Sequence, residues 1–351
     1  MSGRGWETWR AATQRALYGP NGFYRGGRGP GRDYRTSTTA TGSFSVALAT
    51  LVDLLDTALG APPTLHVAEV GAARGWLTRT LSAELAVRSP ELAARVEWWC
   101  VDLGAPPADL PAHINWRHTL DELPPLVGLL LANEWLDNVP VDVVERTEDG
   151  PRLVEVSTTG DERLGAPAPA DALDWLARWW PLAEVGDRAD VGVPRDDAWA
   201  HAVSTVQRGV ALAIDYGHLL PERAAGAYGA GTLSGYRDGR AVLPVPDGSC
   251  DITAHVALDA VAAAGERAGA AVTVLTDQRH ALRALGVRAA NPPRALAEAD
   301  PTAYLDALRV AGEHAELIAR GGLGDFGWLV QSVGMPLPEP LRGLPGVRAT
   351  T

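Results

Sequence analysis

At 351 residues, with 46% hydrophobic and 21% charged side chains, the chain has apolar material for a large core and is not a disordered polypeptide. Its 43 acids against 31 bases, all of them arginine, give a formal charge of -12, which opposes a nucleic-acid footprint and suits a cationic partner better. No apolar run approaches the roughly 20 residues of a membrane helix, and the start MSGRGWETWR lacks the apolar segment of a secretory signal, so a soluble cytoplasmic protein is expected.

The first distinctive stretch is 17–45, LYGPNGFYRGGRGPGRDYRTSTTATGSFS, which holds neither a helical nor a strand period. Its aromatics Phe23, Tyr24 and Tyr34 favour an ordered binding loop over a disordered arm. A helix is expected from about Phe44 to Leu59, with Ser43 as its cap. Then apolar strands alternate with helical segments: TLHVAEV (64–70), a helix from Trp76 to Val87, VEWWCVD (96–102), LVGLLLAN (126–133) and, later, VALAIDYG (210–217). The order β-α-β-α-β predicts an α/β fold, a mostly parallel sheet with helices on both faces.

Between 133 and 210 the chain makes an excursion. VDVVERTEDGPRLVEV (141–156) predicts a hairpin turning at Asp149-Gly150. DALDWLARWWPL (171–182) predicts a helix whose Trp175, Trp179 and Trp180 pack a cap over the crevice rather than stack on a ligand. The C-terminal part predicts a helix over 256–268, a strand at 271–276, helices to about Arg320 and a last strand at 326–332. The expected units are an N-terminal arm and loop (1–45), a first core part (46–140), a cap insertion (141–205), a second core part (206–335) and a loose tail (336–351). Cys100 and Cys250 make neither a disulfide framework nor a zinc site and read as core residues.

Each predicted strand ends in a polar residue: Glu69, Asp102, Asn133 with Glu134, and Asp215. Parallel sheets bind ligands at these carboxyl ends. After Glu69 come Gly71 and Gly75, a turn that lets a nucleotide-like ligand approach the backbone, while Asp102 can accept both hydroxyls of a ribose. The spacing is not G-x-G-x-x-G and no P-loop lysine exists, so a dehydrogenase ranks last. An acid two residues before the first glycine is instead the pattern of an S-adenosylmethionine site, whose ligand carries an ammonium and a sulfonium.

EVGAARGWL, LLANEWLDNVPV, LAIDYG, GTLSGYRDGR and CDITAHV, in this order and with GFYRGGRGPGRDYRTS upstream, strongly resemble the MidA family of S-adenosylmethionine-dependent methyltransferases. That family includes the mitochondrial complex I assembly factor that methylates a protein arginine. The resemblance runs from about Leu17 to Gln331 and implies a class I methyltransferase (Rossmann-like) fold with an added cap, and methyl transfer to a protein side chain. Glu69, Gly71 and Gly75 match its glycine motif, with Ala73 in place of the middle glycine, where the extra methyl is either tolerated at negative φ or crowds the adenosine. Asp102 stands where the family has an acid. Asn133, Glu134, Asp137 and Pro140 match its Asn-Glu-x-x-Asp-x-x-Pro, and Asp215, Tyr216 and Gly217 its Asp-Tyr-Gly. Gly231, Thr232, Leu233, Asp251, Thr253, Ala254 and His255 match later blocks, whereas Ser234 and Gly239 replace an arginine and a histidine. Upstream, Asp33, Tyr34, Thr36 and Ser37, with Tyr24, fall in the substrate-loop segment.

The sequence NEW also looks like the Ser-Glu-Trp of the unrelated protein arginine methyltransferases. A guanidinium is a poor nucleophile because its lone pairs are delocalised, so a carboxylate must fix and polarise it. Glu134 is the first such acid and Asp137 the second, with Asp215 or Glu145 as substitutes. His255 offers a proton route or is simply a structural hydrogen-bonding residue. The expected activity is S-adenosyl-L-methionine-dependent methylation of a cationic, arginine-bearing protein. Two alternatives stand beside it: a non-catalytic assembly protein on the same scaffold, and a small-molecule methyltransferase.

Overall fold

The computed structural model describes residues 5–25 and 42–346. At its centre lie β1 (Leu65–Val70), β2 (Val96–Val101), β3 (Ile114–Arg117), β4 (Leu126–Asn133), β5 (Val206–Asp215), β6 (Val272–Asp277) and β7 (Gly327–Val333). They form one sheet in the order β6-β7-β5-β4-β1-β2-β3, parallel throughout except for β7, which runs antiparallel between β6 and β5. The chain adds β2 and β3 on one side of β1, then returns to place β4 on the other. That reversal between β1 and β4 opens a crevice at the carboxyl ends of the strands.

The helices that matter here are α1 (Trp9–Tyr18), α2 (Gly42–Leu59), α3 (Trp76–Arg88), α4 (Ala170–Trp179), α5 (Val193–Ser204) and α6 (Leu258–Arg267). Strand side chains alternate between two layers, as a period of two requires. Leu129 and Leu131 of β4 and Val210, Leu212 and Ile214 of β5 meet α2 and α3. Leu130, Ala132, Ala211 and Ala213 face the other way and meet Trp199 and Val203 of α5 and Val261 of α6. A strand buried on both faces must be apolar at every position, which is why β4 and the Val210–Ile214 part of β5 are continuous apolar runs.

Helix α2, with 18 residues, is by length and composition alone apolar enough to cross a membrane, contrary to the expectation that no run approaches such a span. In the fold its Phe44, Leu48, Leu51, Val52 and Leu55 are fully buried against the sheet. Ser43 lies inside this helix rather than capping it, and its hydroxyl donates to Glu313 Oε2 at 2.8 Å.

The cap is a five-stranded sheet built from Glu7–Thr8, Asp142–Thr147, Gly150–Val156, Glu162–Pro167 and Arg188–Val191. The hairpin at 149–150 forms as expected. One face of this sheet packs on α1 through Val143, Val154 and Val156, and the other on α4 through Val144, Ala189 and Val191. Trp175 and Trp180 are buried in that second layer, so they pack the cap. Residues 7–18 are therefore part of the cap rather than of a separate arm. Similarly α5, expected within the cap unit, lies on the central sheet through Trp199 and Val203.

Two further differences have simple causes. β3 was not foreseen because its four residues, INWR, bury only Ile114 and carry no period. The segment from 336 was expected to be loose, yet Leu337 and Leu341 are fully buried in the main core, so it is anchored at least that far.

Candidate active site

The crevice is built from four strand ends and the turns that follow them. After β1 the chain turns through Gly71 (φ 71°), Ala73 (φ 49°) and Gly75 (φ 67°), all in the left-handed region. Such a turn suits glycine, and a Cβ on Gly71 would also lie 2.7 Å from Trp135 Cδ1. Trp135 belongs to the turn after β4, so the two sequence motifs, 64 residues apart, pack on each other. Ala73 holds a positive φ despite its methyl, so of the two expected alternatives the one that placed it at negative φ does not hold.

Two acids pin this turn. Asp102, just beyond β2, accepts from the backbone N–H of Ala73 at 2.8 Å and of Gly104 at 2.7 Å. Burial raises its proton affinity, and these two hydrogen bonds oppose the rise. Glu69 Oε2 accepts from the N–H of Thr78 at 3.0 Å and from its hydroxyl at 2.5 Å, which locks the first turn of α3 to the end of β1. Desolvation lifts the Glu69 carboxyl to about 7 in spite of those bonds. The described hydrogen bonds of Glu69 run from Thr78 of the protein's own helix to Oε2.

Beyond β4, Glu134 adopts φ 51°, unusual for a residue with a side chain, while its N–H donates to Ile214 O at 2.8 Å. Asn133 Nδ2 donates to Glu134 Oε1 at 3.1 Å. Asn133 Oδ1 is buried with no hydrogen-bond partner among the described residues. One turn later, Asp137 Oδ2 accepts from the Tyr216 hydroxyl at 2.5 Å and the Thr253 hydroxyl at 2.7 Å. Asp137 Oδ1 is buried and also without a partner among the described residues.

Asp215 does not share this availability. Its Oδ2 accepts from the N–H groups of Leu136 and Asp137 at 3.0 and 3.2 Å, and its Oδ1 from Tyr216 N–H at 3.0 Å. It clamps the turn, so it is a structural group rather than a substitute acid. Glu145 is likewise occupied, paired with Arg188 at 2.9 Å within the cap sheet. Burial first, then the charges of Asp137 and Glu134, holds the Asp215 carboxyl well above the ordinary range.

His255 lies beside these groups, its ring edge-on to Tyr216 at 5.2 Å between centroids. Its N–H donates to Thr232 Oγ1 at 2.9 Å, its Nδ1 has no partner among the described residues, and burial lowers its pKa. Tyr24 reaches the same floor, donating to Asn138 Oδ1 at 2.9 Å or Asp251 Oδ1 at 3.0 Å. Asp33, Tyr34, Thr36 and Ser37 lie outside the described residues.

Sequence reasoning missed Arg195, of which only 2% is exposed. Its guanidinium donates to the carbonyls of Asp137 at 2.7 Å, His255 at 2.8 Å and Val139 at 3.3 Å, and to no carboxylate among the described residues. It also missed Tyr18, whose hydroxyl donates to Asn138 O at 3.0 Å. Neither carries a local signal: one sits in the polar run VPRDD and the other at the end of a helix.

The strand ends bring several hydrogen-bond acceptors: Asp102, Asn133 Oδ1, Glu134 and Asp137 Oδ1. A ligand with ribose hydroxyls, an ammonium and a sulfonium fits that set; a pyrophosphate does not. Strand order, crevice and rim define a class I methyltransferase, whose methyl donor is S-adenosyl-L-methionine.

A family model described as "Putative S-adenosyl-L-methionine-dependent methyltransferase" matches residues 48–276. The chain belongs to this family. Two crystal structures of proteins from Burkholderia thailandensis are similar over nearly their full length, each with a TM-score of 0.78. One, bound to S-adenosyl-homocysteine, is 27% identical over 95% of this chain and 89% of that one. The other, a native structure, is 28% identical over 98% of this chain and 92% of that one. None of the curated proteins matches the chain.

Proposed function

We propose that this methyltransferase acts on the guanidinium of an arginine in a cationic protein partner. The observation that carries the reading is the acid pair after β4: Glu134 at the crevice and, one turn on, Asp137 with a buried Oδ1 that has no partner among the described residues. An unpaired buried carboxylate oxygen is costly, and an N–H-rich cation satisfies it. Two carboxylates suit the several N–H donors of a guanidinium better than a single hydroxyl or carboxyl acceptor.

Asp102 would take the ribose hydroxyls, the Gly71–Gly75 turn would admit the nucleoside, and Asn133 Oδ1 would accept from the ammonium of the donor. When bound, S-adenosyl-L-methionine supplies an electrophilic methyl on a cationic sulfur. Glu134 then fixes and polarises the acceptor nitrogen in line with that methyl. Burial raises the proton affinity of Asp137, which makes Oδ1 a better proton acceptor than an exposed aspartate.

The test is radiolabelled methyl transfer from S-adenosyl-L-methionine to an arrayed set of arginine-bearing peptides, with the modified residue identified by mass spectrometry. Methylarginine that disappears in Glu134→Gln, while calorimetric cofactor binding persists, supports the reading. Label found only on other side chains or on small metabolites overturns it.

A further inference from the structure

The acid after β4 is held by groups from three separate parts of the chain. Asp137 Oδ2 receives the hydroxyl of Tyr216, which follows β5, and the hydroxyl of Thr253, from the short strand Asp251–Thr253. The two hydroxyls also touch each other. The Asp137 carbonyl accepts from Ala254 N–H at 3.2 Å and from Arg195 of α5 at 2.7 Å. Asp215 Oδ2 accepts from the Asp137 N–H. Every hydrogen-bonding atom of this residue is therefore fixed except Oδ1, which is buried and without a partner among the described residues.

We propose that Tyr216 and Thr253 are positioning residues that rotate the Asp137 carboxylate, so that Oδ2 faces the protein and Oδ1 alone faces the methyl acceptor. The inference rests on the reading of Asp137 as an acceptor-site acid. It adds what orients that acid and what sets its ionisation. A carboxylate on an unrestrained side chain would exchange its two oxygens by rotation about the Cβ–Cγ bond. Two hydroxyl donors converging on one oxygen remove that freedom. They also stabilise the charged form, because a hydroxyl donates to a carboxylate more strongly than to a carboxylic acid.

Several charges face Asp137 from the elements packed around it. Arg195 from α5 favours its ionised form. Asp215 from the end of β5 interacts unfavourably with it, and Tyr18 of α1 and His255 of the 253–257 segment also feel its charge. Tyr216 itself is held well above the ordinary tyrosine range by burial and by Asp137, so it remains a hydroxyl donor through neutral pH. Against burial, which raises the proton affinity of Asp137, the two hydroxyls and Arg195 are what keep the oxygen available as an anion.

The experiment follows the Asp137 carboxyl itself, so it needs no known acceptor. Carboxyl-carbon NMR of aspartate-labelled protein is titrated with pH for wild type, Tyr216→Phe, Thr253→Val and the double variant, with Asp137→Asn assigning the resonance. Each single change is expected to move the Asp137 midpoint upward by about one pH unit, and the double change further, since each removes one donor to the charged form. Coincident midpoints in wild type and in whichever of these variants folds would overturn the proposal. Peptide-array activity of Asp137→Asn tests the parent reading separately. An inactive Asp137→Asn with unshifted midpoints in Tyr216→Phe would leave the acid standing and remove the positioning role. A fully active Asp137→Asn would remove the acceptor-site reading, whatever the midpoints do.

Discussion

Ala73 is the residue at which the glycine turn departs from its motif, and its backbone makes a quantitative prediction. It sits at φ 49°, where an L-residue with a Cβ pays roughly 1–2 kcal/mol relative to the right-handed region. Replacing it with glycine relieves that strain and costs about 0.4–1 kcal/mol through the greater freedom of the unfolded chain. Ala73→Gly is therefore expected to stabilise the protein by roughly 0.5–1 kcal/mol, since strain relief exceeds the entropic loss. The Ala73 N–H to Asp102 bond involves only backbone on the Ala73 side and survives the change. Ala61, at φ 50° after α2, provides a control away from the crevice. Urea unfolding of wild type, Ala61→Gly and Ala73→Gly, read at constant slope, measures both increments. A stabilised Ala61→Gly beside a destabilised Ala73→Gly would refute the argument, because it would mean that the Ala73 methyl makes contacts worth more than its strain.

Asp102→Ala removes the acceptor of two backbone N–H groups, so it should lower stability by about 2–4 kcal/mol in denaturant unfolding and abolish the calorimetric heat of S-adenosyl-L-methionine binding. Glu69 has a folded pKa of about 7 against its ordinary 4.5, so the folded state holds the extra proton between those values and wild-type stability falls as pH rises through them. A shift of that size corresponds to about 3–4 kcal/mol at roughly 1.4 kcal/mol per unit. Glu69→Gln, whose amide oxygen can still accept from Thr78, should lack this fall. Its stability relative to wild type, followed by denaturant unfolding, should rise from pH 4 to pH 8, and a flat difference would show that Glu69 does not titrate there.

The parts of this fold that could be read in advance are those in which burial dictates composition. The carboxyl-terminal parts of β1, β2, β4 and β5 are buried on both faces, so their residues form mostly apolar runs that end where the chain meets the crevice. β3, with one buried side chain in four, leaves no such trace. The cap was visible as a hairpin and a tryptophan-rich helix, but its recruitment of residues 7–18 was not, because strand pairing between Glu7 and Val156 has no local signature. The acids of the rim were visible as residue types and not as roles. Asp137 and Asp215 are both aspartates beside strand ends. What separates them is three backbone N–H groups on one and two hydroxyls on the other, and those hydroxyls lie 79 and 116 residues away in the sequence. Arg195 was hidden for the same reason, since its carbonyl partners lie 56 to 60 residues distant.

The charge arrangement links the fold to its proposed acceptor. Glu134, Asp137 and Asp215 crowd the end of β4 and β5, and the nearby buried cation, Arg195, directs its N–H groups to carbonyls rather than to any described carboxylate. An ion pair would have neutralised one acid and left less demand for an external cation. Carbonyl partners satisfy donors of the guanidinium while its charge still favours ionisation of Asp137 against the effect of burial, and Oδ1 is left buried without a partner among the described residues. The clamp on Asp215 works in the same direction, because three N–H groups absorb the carboxylate nearest to Asp137 into the turn instead of letting it compete for a ligand. A site organised in this way keeps an unmet need for N–H donors, which the cationic methyl donor and the proposed guanidinium acceptor would meet from both sides.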